Sequence, residues 1–211
     1  FLAGKGMAEE NEMRTEMSSV RMVTLLLALM IGLCACAGKS APSKFYVLSP
    51  LPQSKPGGAE GMAIGVYPIS MPDYLDRPQI VTRVNDNELN LDEFNRWAEP
   101  LKENFYTVLV DNLSTLLNSE KVIKTAQRLR VPVAVQVGVE VLQFDGTLGG
   151  DVVLAVKWGL IEEEGKKLLL VKRSSFKEAT GAATYEALVA AESRAVAALS
   201  REIAEAIKTR K

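Results

Sequence analysis

Every odd position from Val131 to Val141 is valine, and the positions between are Pro132, Ala134, Gln136, Gly138 and Glu140. Side chains alternate across a strand but wind around a helix, so a strict period of two, written in a β-branched residue, specifies a strand with one wholly apolar face. That face must be covered by another layer. The apolar residues then change parity at Leu142 and Phe144, which marks either a bulge or the strand's end.

The chain downstream supplies partners for this strand. Asp145 to Gly150, rich in glycine, reads as a hairpin loop, and Val152, Leu154, Val156, Trp158 and Leu160 continue the period of two. Glu162 to Lys166 turns the chain again into a strand over Lys167 to Glu178. Three successive strands joined by short loops form an antiparallel meander.

Upstream, Lys44 to Leu48, Met62 to Tyr67 and Gln79 to Val84 read as strands, and Glu88 to Leu91 as the return arm of a hairpin across Asn85-Asp86-Asn87. A Pro- and Gly-rich loop from Ser49 to Gly61 separates the first two. Leu101, Phe105, Val108, Leu109, Leu113, Leu116 and Leu117 recur at the helical period behind Pro100, placed at the first helical position. Glu120 to Thr125 is a candidate short extra strand. Thr184 caps a last helix running to about Lys208, with Leu188, Ala195, Leu199, Ile203 and Ala206 as its buried stripe. The expected fold is therefore α/β (α+β): a single mixed, largely antiparallel sheet with two main helices packed on it.

Before this domain comes a segment of another kind. Arg14 and Arg21 precede an uncharged run from Met22 to Leu33, and Leu33-Cys34-Ala35-Cys36 then places a small residue before a cysteine. This is the pattern of an export signal ending in a bacterial lipobox. Residues 1–35 are read as signal peptide, with translation starting at Met13 or Met17, and Cys36 as the acylated first residue of the mature chain. Cleavage before Cys34 is disfavoured because Leu33 is too bulky for the small-residue position. A transmembrane reading is disfavoured too, because the uncharged stretch is at the short limit for a span and no charged stop-transfer cluster follows it. A diacylglyceryl group plus a third acyl chain, palmitate, makes a lasting anchor where one chain binds reversibly. Residues 36–43 form the lipidated cysteine and a short tether, reaching at most ~25 Å, and the folded domain occupies 44–211.

Composition excludes several functions. The 211 residues carry 25 Lys plus Arg and 26 Asp plus Glu, no histidine and two cysteines, both at the lipobox. The part after Cys36 is formally neutral, which argues against nucleic-acid binding. Without histidine or further cysteine it lacks the usual zinc and copper ligands and any histidine-based catalytic arrangement, so no cofactor is expected. Ser174-Ser175-Phe176-Lys177 has Ser-x-x-Lys spacing, but it falls in a predicted strand, where residues three apart point to opposite faces. Glu162-Glu163-Glu164 reads as a solvated turn rather than a cation site. Asn112-Leu113-Ser114 matches a glycosylation pattern that is discounted in an exported bacterial chain.

Three blocks in order, behind a lipobox, carry a resemblance: Phe45-Tyr46-Val47-Leu48, Tyr74-Leu75-Asp76-Arg77-Pro78-Gln79-Ile80-Val81, and Arg96-Trp97-Ala98-Glu99-Pro100-Leu101. From Lys44 to Ile207 the chain resembles the ABC-type transport auxiliary lipoproteins. The resemblance implies an α/β domain on the periplasmic face of the outer membrane, without enzymatic activity. It implies work alongside an MCE-domain protein and an inner-membrane permease in moving phospholipids between membranes, and assembly as a homo-oligomeric ring. Ala37 stands where an aspartate typically retains lipoproteins in the inner membrane, which favours outer-membrane sorting.

The candidate partner-binding residues are Tyr74, Leu75, Arg77, Pro78, Gln79 and Trp97. Tyrosine and arginine are frequent interface hot spots, and proline fixes the backbone that presents them. The other reading of the same loop is an internal clamp, with Arg77 paired to Asp73, Asp76 or Glu99 and Tyr74 packed on the core. Trp97 reads more as a core anchor where the chain joins the helix than as a contact residue. Two other functions compete with a transport accessory: an assembly factor or chaperone for another envelope complex, and a small envelope hydrolase.

Overall fold

The computed structural model describes residues 17, 21, 22, 24, 42–52, 63–125, 133–162 and 167–210. The chain divides into two units, Phe1–Pro42 and Ser43–Lys211. In the first, the described residues Met17, Arg21, Met22 and Thr24 are helical. Cys36, the rest of the predicted signal segment and the tether through Ala41 lie outside the described residues, as do Val131, Pro132, Glu163 and Glu164.

Strand β6 (Val135–Gly146) is the spine of the second unit. Val135, Val137, Val139 and Val141 are buried, as their period demands. At Leu142 the ladder slips by one residue: Val141 pairs with Val156, and Gln143 with Ala155. This bulge brings Phe144 onto the face the valines occupy, where its ring meets Phe105 edge-on at 5.5 Å between centroids. The parity change in the sequence is thus a bulge within the strand rather than its end.

One edge of β6 pairs antiparallel with β7 (Asp151–Glu162), and β7 pairs antiparallel with β8 (Lys167–Ala179). The other edge is shared. Strand β2 (Ile64–Val66) pairs in parallel with Val135–Val137 and itself carries β5 (Val122–Lys124). Further along, Ser70 bridges Glu140, and Thr82 of β3 (Gln79–Asn85) pairs with Gly146. Beyond β3 lie β4 (Glu88–Trp97), antiparallel to it, and β1 (Lys44–Tyr46), parallel to β4. The eight strands form one open, mixed sheet in which β6 bears two separate arms on a single edge.

Helices α1 (Leu101–Leu117) and α2 (Tyr185–Thr209) pack on this sheet and against each other. Phe105, Leu109 and Leu113 of α1 and Leu188, Ala195, Leu199 and Ile203 of α2 are fully buried, while Ala206 is half-buried at the margin. The Thr184 hydroxyl accepts a hydrogen bond from the Ala187 N–H at 3.2 Å, capping α2. Pro100 is the residue before α1 rather than its first turn: its ψ of 124° is not helical, and its carbonyl accepts from Glu103 and Asn104.

Strand β4 runs six residues past the predicted Leu91. Asp92 and Asn95 shape an irregularity inside the strand. Val81 pairs with Leu91 but Gln79 with Arg96, so the intervening residues bulge. The Asp92 carboxylate accepts from the Phe94 and Asn95 N–H groups at 2.8 and 2.7 Å and closes the bulge.

After β1 the chain crosses both helices. The Leu48 N–H donates to Asn104 Oδ1 at 2.6 Å, the Ser49 N–H to Ser193 Oγ at 3.0 Å and the Leu51 N–H to Asn112 Oδ1 at 2.6 Å. Asn112 is fully buried and also donates to Ser200, so in this fold it is not accessible to a glycan.

Candidate functional site: a groove at the mouth of helix α1

Pro72 leads into a 3₁₀ turn, Asp73–Leu75, in which Leu75 N–H reaches Pro72 O and Asp76 N–H reaches Asp73 O. The turn delivers Arg77 and Pro78 to the end of β4, where the Trp97 N–H donates to Pro78 O at 2.7 Å. Between Asp76-Arg77-Pro78 on one side and Trp97-Ala98-Glu99-Pro100 on the other lies a groove of about 300 Å³. Two of the three sequence blocks thus meet across it, although they are separate in the chain.

The six candidate residues divide. Arg77, Pro78 and Trp97 line the groove, with Trp97 only 5% exposed and chiefly a core residue. Leu75 is buried. Gln79 donates to Glu93 on β4 at 3.3 Å. Tyr74 turns inward and donates to Asp145 Oδ2 at 2.7 Å.

Asp145 is fully buried and accepts two further charge-assisted bonds, from Arg83 Nε at 2.7 Å and Arg83 Nη2 at 2.8 Å, plus one from Gln143 at 2.9 Å. Burial acts to raise its pKa, but these hydrogen bonds outweigh it and hold the carboxyl below its ordinary value. Burial and the bond to Asp145 push the Tyr74 hydroxyl up to about 12. Tyr74 is thus held inward by a clamp, but not the one expected: Arg83 supplies the cation rather than Arg77, and Asp145 the acid rather than Asp73, Asp76 or Glu99.

Arg77 is left over. Among the described residues no carboxylate lies within 4.0 Å of its guanidinium, and its buried Nε has no hydrogen-bond partner. Asp73, Asp76 and Glu99 do not pair with it, and Glu99 accepts instead from Asn104 Nδ2 at 2.7 Å. Leaving such a donor unmet costs about 1–3 kcal/mol.

The Ser-x-x-Lys spacing proves structural. Ser174 is buried, accepts from Trp158 Nε1 at 3.1 Å and donates to Glu202, whereas Lys177 is exposed and paired with Asp151 at 2.7 Å. Burial acts to raise the Glu202 pKa, and bonds from Ser174, Lys172 and Trp158 reverse this and lower it. Among the described residues no cluster of three acidic or cysteine side chains is placed to hold a metal ion.

A second, larger cavity of about 570 Å³ lies between Ser49–Pro52 and helix α2, with Val189, Ala190, Ala197 and Arg201 on its floor. Sequence reasoning missed it. Its only trace there is the spacing of Glu186, Ala190, Ser193, Ala197 and Arg201 along one side of a helix.

The family model of the ABC-type transport auxiliary lipoprotein component matches residues 46–204. The chain belongs to this family. Among curated members it is 28% identical over 155 residues to the intermembrane transport lipoprotein PqiC of Escherichia coli, covering 71% of this chain and 77% of that one. The Shigella flexneri protein of the same name matches equally. Two solved structures share the fold. An uncharacterized protein superposes with a TM-score of 0.65 at 23% identity, covering 79% of this chain and 99% of that one. A Xanthomonas campestris protein gives 0.64 at 14%, covering 77% and 93%. Two of the blocks singled out in this chain thus meet around one groove, at an arginine with no ion-pair partner among the described residues.

Proposed function

We propose that this lipoprotein is the outer-membrane component of an intermembrane phospholipid transport system, anchored on the periplasmic face by acylated Cys36. In this reading it docks or caps a periplasm-spanning MCE-domain assembly, itself served by an inner-membrane permease, through the groove at Arg77, Pro78 and Trp97. It acts by binding rather than catalysis, as a homo-oligomer. The family, and the transport role in the name of the E. coli relative, support the general part of this reading. The single observation that carries the docking site is the buried, unpartnered Nε of Arg77 in a groove built from two separate family blocks.

The test is co-purification of the full-length lipoprotein with its genomic neighbours after mild extraction. Arg77→Ala is expected to reduce recovery of an MCE partner at least about tenfold, the scale of an interface hot spot, with little change in the melting temperature. A large fall in melting temperature with partner recovery intact would overturn the docking role.

A further inference from the structure

The cavity between Ser49–Pro52 and α2 has an unusual balance of chemistry. Its outer wall presents no spare backbone donor: Pro50 and Pro52 have no N–H, and the N–H groups of Ser49 and Leu51 are bound to Ser193 and Asn112. Ser193 also donates to Val189 O, and the Tyr46 hydroxyl donates to Asn95 Oδ1. What remains toward the cavity is apolar: the proline rings, Leu51, Val189, Ala190 and Ala197.

Its charges also resolve to one. Glu186 pairs with Lys44 at 3.4 Å, and Arg194 pairs with Glu178 at 3.2 Å while donating to Ala179 O. Arg201 lines the same cavity and, among the described residues, has no ion-pair or hydrogen-bond partner. It lies 11 residues past Ala190, roughly 16 Å along the helix at 1.5 Å per residue. An elongated apolar trough thus ends in one uncompensated cation, and its volume is in the range of small-molecule sites. A peptide finds no donor along this wall for its carbonyls, whereas an acyl chain needs none.

We infer that this trough binds a single-chain anionic amphiphile, with the chain lying along Pro50, Leu51, Val189 and Ala197 and the head group held at Arg201. A fatty-acid carboxylate and a lysophospholipid phosphodiester share this chemistry. The site is distinct from the Arg77 groove, and its test needs no protein partner, so failure of one reading leaves the other standing.

The full-length lipoprotein in maltoside is irradiated with a diazirine-bearing long-chain fatty acid, the matching lysophosphatidylglycerol or the matching neutral alcohol, and crosslinks are mapped by peptide mass spectrometry. The expected result is labelling concentrated on the Tyr46–Pro52 and Glu186–Arg201 segments by at least one anionic probe, and the stronger probe identifies the natural head group. Ala190→Trp, at an exposed helical position, fills the trough and is expected to remove that labelling. Arg201→Gln is expected to reduce it about tenfold, to the level of the neutral alcohol, as loss of a charge-assisted bond implies. Labelling spread evenly over the chain, or undiminished in both variants, would overturn the site. Equal labelling of the wild type by alcohol and acids would overturn the head-group assignment.

Discussion

At the scale of single residues, Asp145 joins parts of the chain that are far apart in sequence: Tyr74 is 71 residues away and Arg83 is 62. Sequence reading put Asp145 in a hairpin loop, because nothing local signals that those partners will close over it. Its folded pKa is depressed, so its contribution to stability is present above the unfolded value of about 3.9 and is lost as pH falls through the folded value. Asp145→Asn is expected to lower stability by about 3 kcal/mol in urea denaturation near neutral pH, since it leaves Arg83 without its counter-charge. It should also flatten the acid limb of the stability profile. Glu192 has the opposite sign. It sits in the buried stripe of α2, is 1% exposed and leaves Oε2 without a partner. Burial, and then the charge of Asp145, raise its pKa well above the ordinary value. The folded state therefore keeps a proton that the unfolded chain releases, and stability falls as pH rises above about 4.3. Glu192→Gln should gain stability over the wild type, by a wider margin near pH 8 than near pH 5. A margin in melting temperature that does not change between those pH values would refute this.

Among the elements, legibility followed the strength of the local period. β6, β7 and the two helices were readable because valine alternation and apolar stripes hold over many residues, β8 followed from the turn before it, and even the bulge at Leu142 showed as a parity change. The continuation of β4 past Leu91 was not readable, because Asp92 satisfies backbone donors inside a strand with the same chemistry it would use in a turn. The chain was read as strand through Leu48 and as loop from Ser49, whereas β1 ends at Tyr46 and the fixation of Leu48–Leu51 depends on two asparagines of α1 that look unremarkable in a helix sequence. Asn104 receives the Leu48 N–H and is itself held by Glu99. Asn104→Ala is expected to cost about 1–3 kcal/mol by leaving a buried donor unmet. Hydrogen exchange at Leu48 should accelerate more than exchange in the centre of β7, and equal acceleration at both would mean that the loss is global rather than local.

On the scale of the whole molecule, the layers were inferable but the branching of the sheet was not. Periodicity says that β6 needs neighbours. It does not say that β2 and β3, consecutive strands of the chain, will divide one edge between them. The groove was legible only in part: Arg77, Pro78 and Trp97 were singled out as types suited to an interface, but their meeting depends on how the 3₁₀ turn abuts β4. The proposed anchor belongs to this scale as well. Cys36→Ser is expected to move the protein from the detergent phase to the aqueous phase in cloud-point partitioning, because no acyl chain is then attached. Unchanged partitioning would remove the lipid anchor from the account.

Strand β1 has a mechanical consequence. Lys44, Phe45 and Tyr46 are matched in parallel with Asn95, Arg96 and Trp97, and this is the first pairing that the chain makes after Ser43. Tension directed back along β1 meets these rungs broadside, so they share the load in shear instead of peeling one at a time. The grip of Asn104 and Asn112 on the backbone behind them is the next to be strained. A domain tugged from its amino end would yield there before its valine spine feels any force.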